Sequence, residues 1–335
     1  MFGYLRFFLA FLVMISHMSI WIYGLNPGVV AVVVFYLLAG FVVSHLFFDI
    51  LPDSKYKILL FYKDRFLRIF PLYLYIAFLT TVFLLLTSFG NPDFTFKKII
   101  YNLTIIPLNY YMYLDSTILT KPHWCLIPPT WSLGAELQAY ILLSAVFIFQ
   151  KAKIPLAIVS FFIYIIANFS IINPDYFGYR FIAGVFFIFF IGSSIQRFSS
   201  KKISKFERYF PLFVFLFILF LTPIFYVFDI FSPTYTKETF VGLLLGIPLV
   251  FFISKSKIKL PFNSLFGSLS YGLFLSHFLS IWILEYFDFL QTQKNLQIVA
   301  VAILSTLFSY SGIILIERKI NSLRYIKGIS SNLIR

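Results

Sequence analysis

Two residues of the first apolar segment, Arg6 and His17, have side chains that could act together in a reaction. They lie eleven positions apart, almost three α-helical turns, so both fall on one stripe of a helix, about 16 Å apart along its axis. A guanidinium at the aqueous rim can hold an anion, and an imidazole in a dry site can move a proton. We predict that His17 lies at mid-membrane, rests as a neutral imidazole because desolvation disfavours the cation, and is catalytic. The alternatives are an Arg6 that extends to the surface and a His17 that bonds a neighbouring helix.

A second pair of basic residues, Arg65 and Arg68, lies three positions apart in the segment DRFLRIFPLY. That spacing makes them neighbours on one helical face, where two planar guanidiniums can hold phosphates through forked hydrogen bonds. The alternative is an ordinary cluster of positive charge beside a membrane, which needs no ligand. Arg6 is predicted at the same rim, which favours a shared anion site for the three arginines.

Polar residues also interrupt two later apolar segments. In PPTWSLGAELQAY, Ser132 and Glu136 are four positions apart on one helical face, and Glu136 would lie one or two turns below the outer surface. We predict a functional carboxylate there, with a structural ion pair as the alternative. In SLSYGLFLSHFL, Ser270 and His277 are seven apart and share a stripe. His277 is either a site residue or a hydrogen bond between helices.

The composition explains why these groups are unusual. Of 335 residues, 60% are hydrophobic, 22% aromatic and only 12% charged, which is typical of a polytopic membrane protein and excludes an ordinary soluble core. The sequence predicts an all-α fold of about ten transmembrane helices. The apolar runs lie at about 4 to 23, 28 to 48, 69 to 89, 131 to 150, 154 to 172, 181 to 196, 209 to 228, 238 to 253, 265 to 287 and 296 to 316.

The placement of positive charge predicts the orientation. With the N-terminus inside, 21 of the 27 Lys and Arg residues fall on the inner side, especially around 51 to 64 and 197 to 208. This distribution obeys the positive-inside rule and predicts cytoplasmic N- and C-termini. The net charge of +14 then reflects topology and contact with anionic lipid, and we expect no nucleic-acid partner. The six outer residues are Lys97, Lys98, Lys121, Arg180, Lys237 and Lys294.

We predict one transmembrane domain over 1–335, with no separate soluble domain. The first apolar segment lacks the small-residue cleavage site of a signal peptide, so we expect it to be retained. The long connection from Gly90 to Thr130 is either a lid that stacks on sugar rings or an interfacial aromatic belt. It contains Cys125, the single cysteine, which excludes an intramolecular disulfide. Its aromatic residues include Tyr110, Tyr111, Tyr113, His123 and Trp124.

Five motifs, in this order, resemble those of the membrane acyltransferase-3 family, integral membrane O-acyltransferases that decorate bacterial surface glycans. They are LRFFLAFLVMISH, FYLLAGF, DRFLRIFPLY, TWSLGAELQAY and SYGLFLSH. The resemblance implies that His17 is catalytic and that Arg6, Arg65 and Arg68 bind the acyl donor.

Two positions depart from the family pattern. Ala39 stands where a Ser is usual, which argues against a hydroxyl function there, and Phe274 stands where a Tyr is frequent, which removes a hydrogen-bond donor near His277.

The resemblance and the residues together predict an O-acetyltransferase of the inner membrane and cell envelope. It would move an acetyl group from cytoplasmic acetyl-CoA to a hydroxyl of a surface polysaccharide or lipid-linked sugar. His17 would act as base or as acyl carrier, and Glu136 would orient the imidazole or bind sugar hydroxyls. We expect no permanently bound cofactor and no metal. The predicted acceptor-binding residues are Trp131, Ser132, Tyr271 and His277.

Two other functions fit about ten helices with buried ionisable groups. A transporter or flippase of lipid-linked sugars is the alternative, although the chain shows no half-chain repeat. A structural scaffold ranks last, because it leaves the costly charges within the membrane unexplained.

Overall fold

The computed structural model describes residues 1–200, 203–289 and 293–324. Over these residues the protein is mainly helical, with one short hairpin whose strands each have two residues. Nine helices among the described residues are long and apolar enough to cross a membrane. The predicted all-α membrane fold is therefore confirmed, whereas the exact number of spans and the orientation of the termini stay predictions.

The helices coincide with the ten predicted apolar segments and add short ones. They are α1 (Phe2–His17), α2 (Pro27–His45), α3 (Lys57–Thr87), α4 (Phe96–Thr104), α5 (Thr130–Ile148), α6 (Lys153–Asn168), α7 (Ile182–Arg197), α8 (Lys205–Val227), α9 (Thr236–Lys255), α10 (Asn263–Tyr286), α11 (Lys294–Gly312) and α12 (Arg318–Ile320). Short π-helical turns are formed by Leu46–Ile50, Tyr176–Arg180 and Ile313–Glu317. The strands are β1 (Leu119–Thr120) and β2 (His123–Trp124), which pair antiparallel.

The first helix is shorter than the hydropathy predicted. It ends at His17 after 16 residues, about 24 Å, which is less than the hydrocarbon thickness of about 30 Å. Ser19 and Tyr23 have positive φ angles of 59° and 51°, so the apolar run continues as a turn. Asn26 then caps α2 by accepting from the backbone N–H of Gly28 at 2.9 Å.

The third helix is longer than predicted. It begins at Lys57 and has 31 residues with Pro71 inside it. Arg65 and Arg68 therefore lie within this helix, three positions apart on one face as the sequence predicted.

One compact unit consists of Met1–Met18, Asp53–Gly134 and Lys259–Arg335. In it α10 packs against α1, α3 and α11. The α10–α11 contact is close, because a Cβ on Gly272 would lie 2.0 Å from Ser309 Oγ. Small residues let helices in a membrane approach to backbone contact.

The connection after α3 belongs to this unit and is ordered by one buried amide. Asn102 on α4 donates from Nδ2 to the carbonyl of Ser116 at 2.8 Å and accepts at Oδ1 from the N–H of Leu126 at 2.8 Å. Lys98 adds an ion pair with Asp93 at 2.7 Å, and that carboxylate raises the pKa of Lys98 above its usual value. The segment read as one long loop thus contains a helix and a hairpin.

The other compact unit consists of Ser19–Pro52 and Ala135–Ile258. Its helices α2 and α7 cross at two glycines: a Cβ on Gly40 would lie 1.8 Å from the carbonyl oxygen of Phe189, and one on Gly192 would lie 1.9 Å from that of Leu37. These positions accept only glycine without a backbone shift.

A buried ion cluster holds one end of the second unit. Glu207, near the start of α8, pairs with Arg197 at 3.0 Å and with Lys153 at 2.6 Å. Its carboxylate also accepts from Ser204, which caps the helix.

Two predictions on organisation stay predictions. The single domain over 1–335 is one of them, and within it the described chain forms the two units above. The other is the inward orientation of the basic loops. Four of the residues counted there, Lys201, Lys202, Lys327 and Arg335, lie outside the described residues.

Candidate active site

The first unit brings His17 and His277 into direct contact. His17 Nδ1 lies 3.0 Å from His277 Nε2, and the two rings are nearly parallel, with an interplanar angle of 13° and centroids 5.1 Å apart. His17 is the last residue of α1 and His277 lies in the middle of α10. In the sequence the two histidines are separate candidates. In the structure the packing of α1 on α10 brings them into contact.

The two rings differ in burial within the protein. His277 is 0% exposed, whereas His17 is exposed at the end of α1. The position of His17 at mid-membrane and its neutral resting state stay predictions. Of the two rings, His17 is the one at the protein surface, with the buried ring of His277 in contact with it.

The hydrogen bonds of His277 fix the tautomers of the neutral pair. His277 Nδ1 lies 3.2 Å from the carbonyl oxygen of Leu273. A carbonyl can only accept, so Nδ1 carries the proton and Nε2 is an acceptor. His17 must then donate from Nδ1, which leaves the lone pair of its ring on Nε2. This is the arrangement of a general base whose orientation is set by a second group.

Aromatic rings connect the pair to the ordered connection after α3. The Phe278 ring centroid lies 4.8 Å from that of His17 and 5.1 Å from that of His277. The ring of Trp124, in β2, lies 5.4 Å from Phe278 and is exposed. Phe274, at the position where the family often has a Tyr, lies 6.4 Å from His277. The exposed imidazole therefore lies beside exposed aromatic surface.

Serine hydroxyls hold α10 in place behind His277. Ser276 donates to the carbonyl of Ser305 at 3.1 Å, and Ser305 donates to the hydroxyl of Ser280 at 2.9 Å. At the other end Ser270 donates to the carbonyl of Arg6 at 2.8 Å. Ser270 and His277, whose spacing predicted a shared stripe, thus both contact α1.

Arg65 and Arg68 are both held by carboxylates. Arg65 is buried, and its Nε donates to Asp64 at 3.1 Å. Arg68 forms an ion pair with Glu317, and its guanidinium lies 5.5 Å from the ring centroid of Tyr271. The sequence analysis did not single out Asp64 or Glu317, because burial of a charge depends on packing between distant helices. The features of the sequence that could have indicated these ion pairs are the adjacent charges in DRFLR and ERK.

Tyr271 is placed with these arginines. Its hydroxyl donates to the carbonyl of Ile69 at 3.0 Å, which fixes the ring beneath Arg68. Ser268 donates to Glu317 at 3.1 Å. Tyr271, predicted to bind the acceptor, therefore lies at the arginine end of α10.

The TWSLGAELQAY motif is divided between the two units. In the first, Trp131 accepts at its carbonyl from Asn109 at 3.1 Å, and Ser132 is buried and donates to the carbonyl of Pro129 at 2.9 Å. In the second, Glu136 accepts a hydrogen bond from Tyr140. Its role in orienting His17 stays a prediction.

These features define a multi-pass membrane protein with an imidazole pair and a cluster of arginines in one helical unit. The chain belongs to the acyltransferase-3 family: the model of its acyltransferase domain matches residues 2–315. The matched residues include all five motifs that carry the resemblance. The protein is therefore a membrane acyltransferase.

Comparison with individual proteins adds one relative. A protein of Aquifex aeolicus (strain VF5), described as an uncharacterized protein, is 43% identical over 218 residues, which are 64% of this chain and 98% of that protein. No solved structure matches the chain.

Proposed function

We propose that the protein transfers an acetyl group from acetyl-CoA to a hydroxyl of a surface polysaccharide or lipid-linked sugar. The observation that carries the proposal is the contact between His17 and His277, in which the neutral tautomers leave a basic nitrogen on the exposed ring of His17. Family membership favours this enzyme over the alternative of a transporter or flippase.

The donor would bind with its phosphates at the arginine end of α10. Arg6, Arg65 and Arg68 are the proposed ligands, since guanidiniums form forked hydrogen bonds with phosphate. The excess of positive charge on this side of the helices supports a cytoplasmic location, where acetyl-CoA is made. Tyr271 supports this site by lying under Arg68.

The thioester would then extend toward the histidine pair. Tyr271 and His277 are six positions apart on α10, about 9 Å along the helix axis. One helix thus supports both the proposed phosphate site and the proposed chemical site.

In the direct route His17 is the general base. The sugar oxygen attacks the carbonyl carbon of the thioester while its proton passes to His17 Nε2. Collapse of the tetrahedral intermediate breaks the carbon–sulfur bond, and the imidazolium returns the proton to the departing sulfur of CoA. His277 keeps the reactive tautomer in place by accepting from His17 Nδ1.

In the second route His17 carries the acetyl group. Nε2 attacks the thioester first, the carbon–sulfur bond breaks, and CoA leaves as the thiolate. The sugar hydroxyl then attacks the acetyl carbon, the bond from this carbon to Nε2 breaks, and the hydroxyl proton passes to the solvent, from which the thiolate takes one up. A burst of CoA release before any acceptor is added distinguishes this route from the direct one.

Aromatic side chains support a sugar acceptor. Trp124 is exposed and contacts Phe278, which in turn contacts His17. Flat aromatic faces pack against the apolar faces of sugar rings. Trp131 and Ser132 belong to the same unit as the histidine pair and are further candidates for acceptor binding. Glu136 is proposed to bind sugar hydroxyls.

The experiment uses the full chain in lipid nanodiscs with acetyl-CoA labelled in the acetyl group. We expect CoA release that requires a glycan fraction from the source cell envelope, and a glycan mass increased by one acetyl group. Uptake or movement of the glycan without CoA release would instead identify a transporter.

A further inference from the structure

Asp64 joins two arginines from distant parts of the chain. Arg65 Nε donates to Asp64 Oδ2 at 3.1 Å, and Arg324 donates from Nε to Oδ1 at 3.1 Å and from Nη2 to Oδ2 at 3.4 Å. The contact of Arg324 is therefore forked, the geometry that guanidinium forms with carboxylate and with phosphate. Asn321 accepts a further bond from Arg324 at 3.1 Å, so this guanidinium is oriented on two sides.

The cluster is buried and carries an excess of positive charge. The side chains of Asp64, Arg65 and Arg324 are 1%, 5% and 10% exposed. Burial and the nearby charge of Arg68 both lower the pKa of the Arg324 guanidinium. With Glu317, the partner of Arg68, the described residues of the group are thus two carboxylates and three guanidiniums. Burial makes an uncompensated charge costly, and one further anionic group would balance the cluster.

One acceptor atom in the cluster is also unsatisfied. Glu317 Oε2 is buried and has no hydrogen-bond partner among the described residues, while Oε1 takes both Arg68 and Ser268. The carboxylate of Glu317 is thus only partly satisfied by its described partners.

We propose that Arg324 is a further arginine of the donor site, in addition to Arg6, Arg65 and Arg68. In this proposal Asp64 holds Arg65 and Arg324 at the position that a donor phosphate takes. The inference rests on the proposed function, because it assumes an acyl-CoA donor. Arg324 lies beyond residues 2–315 that the family model matches, so its role is argued from this chain alone. When the donor binds, its phosphate replaces the carboxylate on both guanidiniums, and Asp64 competes with the donor for them.

The test measures equilibrium binding of CoA to the full chain in detergent, with pantetheine as a probe that lacks the nucleotide phosphates. We expect Arg324→Gln to weaken CoA binding about tenfold, from the loss of a charge-assisted forked bond, and to leave pantetheine binding unchanged. Arg318→Gln is the matched control, because Arg318 is exposed on the same segment. CoA binding by Arg324→Gln equal to that of the wild type would overturn the inference.

Asp64→Asn tests the competition. It keeps the shape of the side chain and removes the charge, so we expect CoA to bind several times more tightly. Weaker binding of CoA would show that Asp64 positions the arginines without competing with the donor. That result would overturn the proposed competition. If Arg324→Gln fails to fold, Arg324→Lys keeps the charge and loses the fork, and it should still weaken CoA binding.

Failure of the inference and failure of the proposed function give different results. A wild-type protein that binds no CoA contradicts the proposed donor. A wild-type protein that binds CoA, with Arg324 variants unchanged, contradicts only the role of Arg324.

Discussion

The ring of Tyr271 lies under the guanidinium of Arg68, with the guanidinium carbon 5.5 Å from the ring centroid. Tyr271 and His277 lie on the same helix, so α10 contacts the arginine cluster at one position and His17 at another. Substitutions at these two positions of α10 should therefore have separate effects.

At the arginine end we expect the ring of Tyr271 to matter more than its hydroxyl. Tyr271→Phe keeps the ring beneath Arg68 and loses the bond to the Ile69 carbonyl, so CoA affinity should change by less than about threefold. Tyr271→Ala also removes the cation–π contact and should weaken binding by about fivefold, equivalent to about 1 kcal/mol. Titration of both variants with CoA checks this, and equal affinities would argue against a role for the ring.

At the histidine end we expect His277 to act through His17. His277→Ala removes the acceptor that fixes the His17 tautomer and should lower kcat by about 100-fold, with little change in the KM for acetyl-CoA. His277→Gln should recover part of the rate, because an amide can donate to the Leu273 carbonyl and accept from His17. The pH profile of kcat should shift in both variants. A purely structural role predicts loss of folded protein with an unchanged profile.

The α10–α11 contact gives a prediction on stability. Gly272→Ala would bring a Cβ to 2.0 Å from Ser309 Oγ, and overpacking of this kind costs about 1 to 3 kcal/mol. Thermal unfolding in detergent should show a lower Tm. Ser309→Gly should restore part of the stability in the double variant, and failure to do so would show that the close contact is not the cause.

Cys125 gives a prediction on pH. Burial raises the pKa of this thiol to about 12, whereas a free cysteine titrates near about 8.5. Because the thiolate is the reactive form, the rate of maleimide labelling should rise about tenfold for each pH unit from 7 to 10. A rate that levels off above about pH 9, the behaviour of an ordinary thiol, would contradict the raised pKa of this thiol.

The same cysteine tests orientation. Cys125 precedes α5 in the connection predicted to face outward. A membrane-impermeant maleimide at alkaline pH should label it in intact spheroplasts. Labelling confined to inverted vesicles would reverse the predicted topology and place the arginine cluster away from cytoplasmic acetyl-CoA.

Much of the fold was predictable because hydropathy and charge act locally. All ten apolar segments coincide with helices, and the boundaries failed where local chemistry opposed hydropathy. Ser19 and Tyr23 turn the chain inside an apolar run, so α1 ends at His17. The polar residues at the start of α3 predict a loop, although Lys57 and the residues after it are helical.

The sequence was enough to propose which residues form the site. It was not enough to predict which of them contact one another. The spacing of Ser270 and His277 predicted that they share one stripe of α10. The structure adds that this stripe contacts α1, at Arg6 and His17. The carboxylates of Asp64 and Glu317 could not be placed in advance, because their partners Arg324 and Arg68 lie about 250 positions away along the chain.

The central claim is that His17 performs the transfer, and its substitution tests that claim most directly. His17→Ala and the control His45→Ala are compared in nanodiscs for glycan-dependent release of CoA. His45 is a matched control because it is a helix-terminal, partly exposed histidine that pairs with Asp49 at 2.6 Å in the second unit. We expect His17→Ala to lose at least about 100-fold in rate with CoA binding intact, and His45→Ala to keep the wild-type rate. A His17→Ala protein that retains more than about a tenth of the wild-type rate, too much for the loss of a general base, would contradict the account.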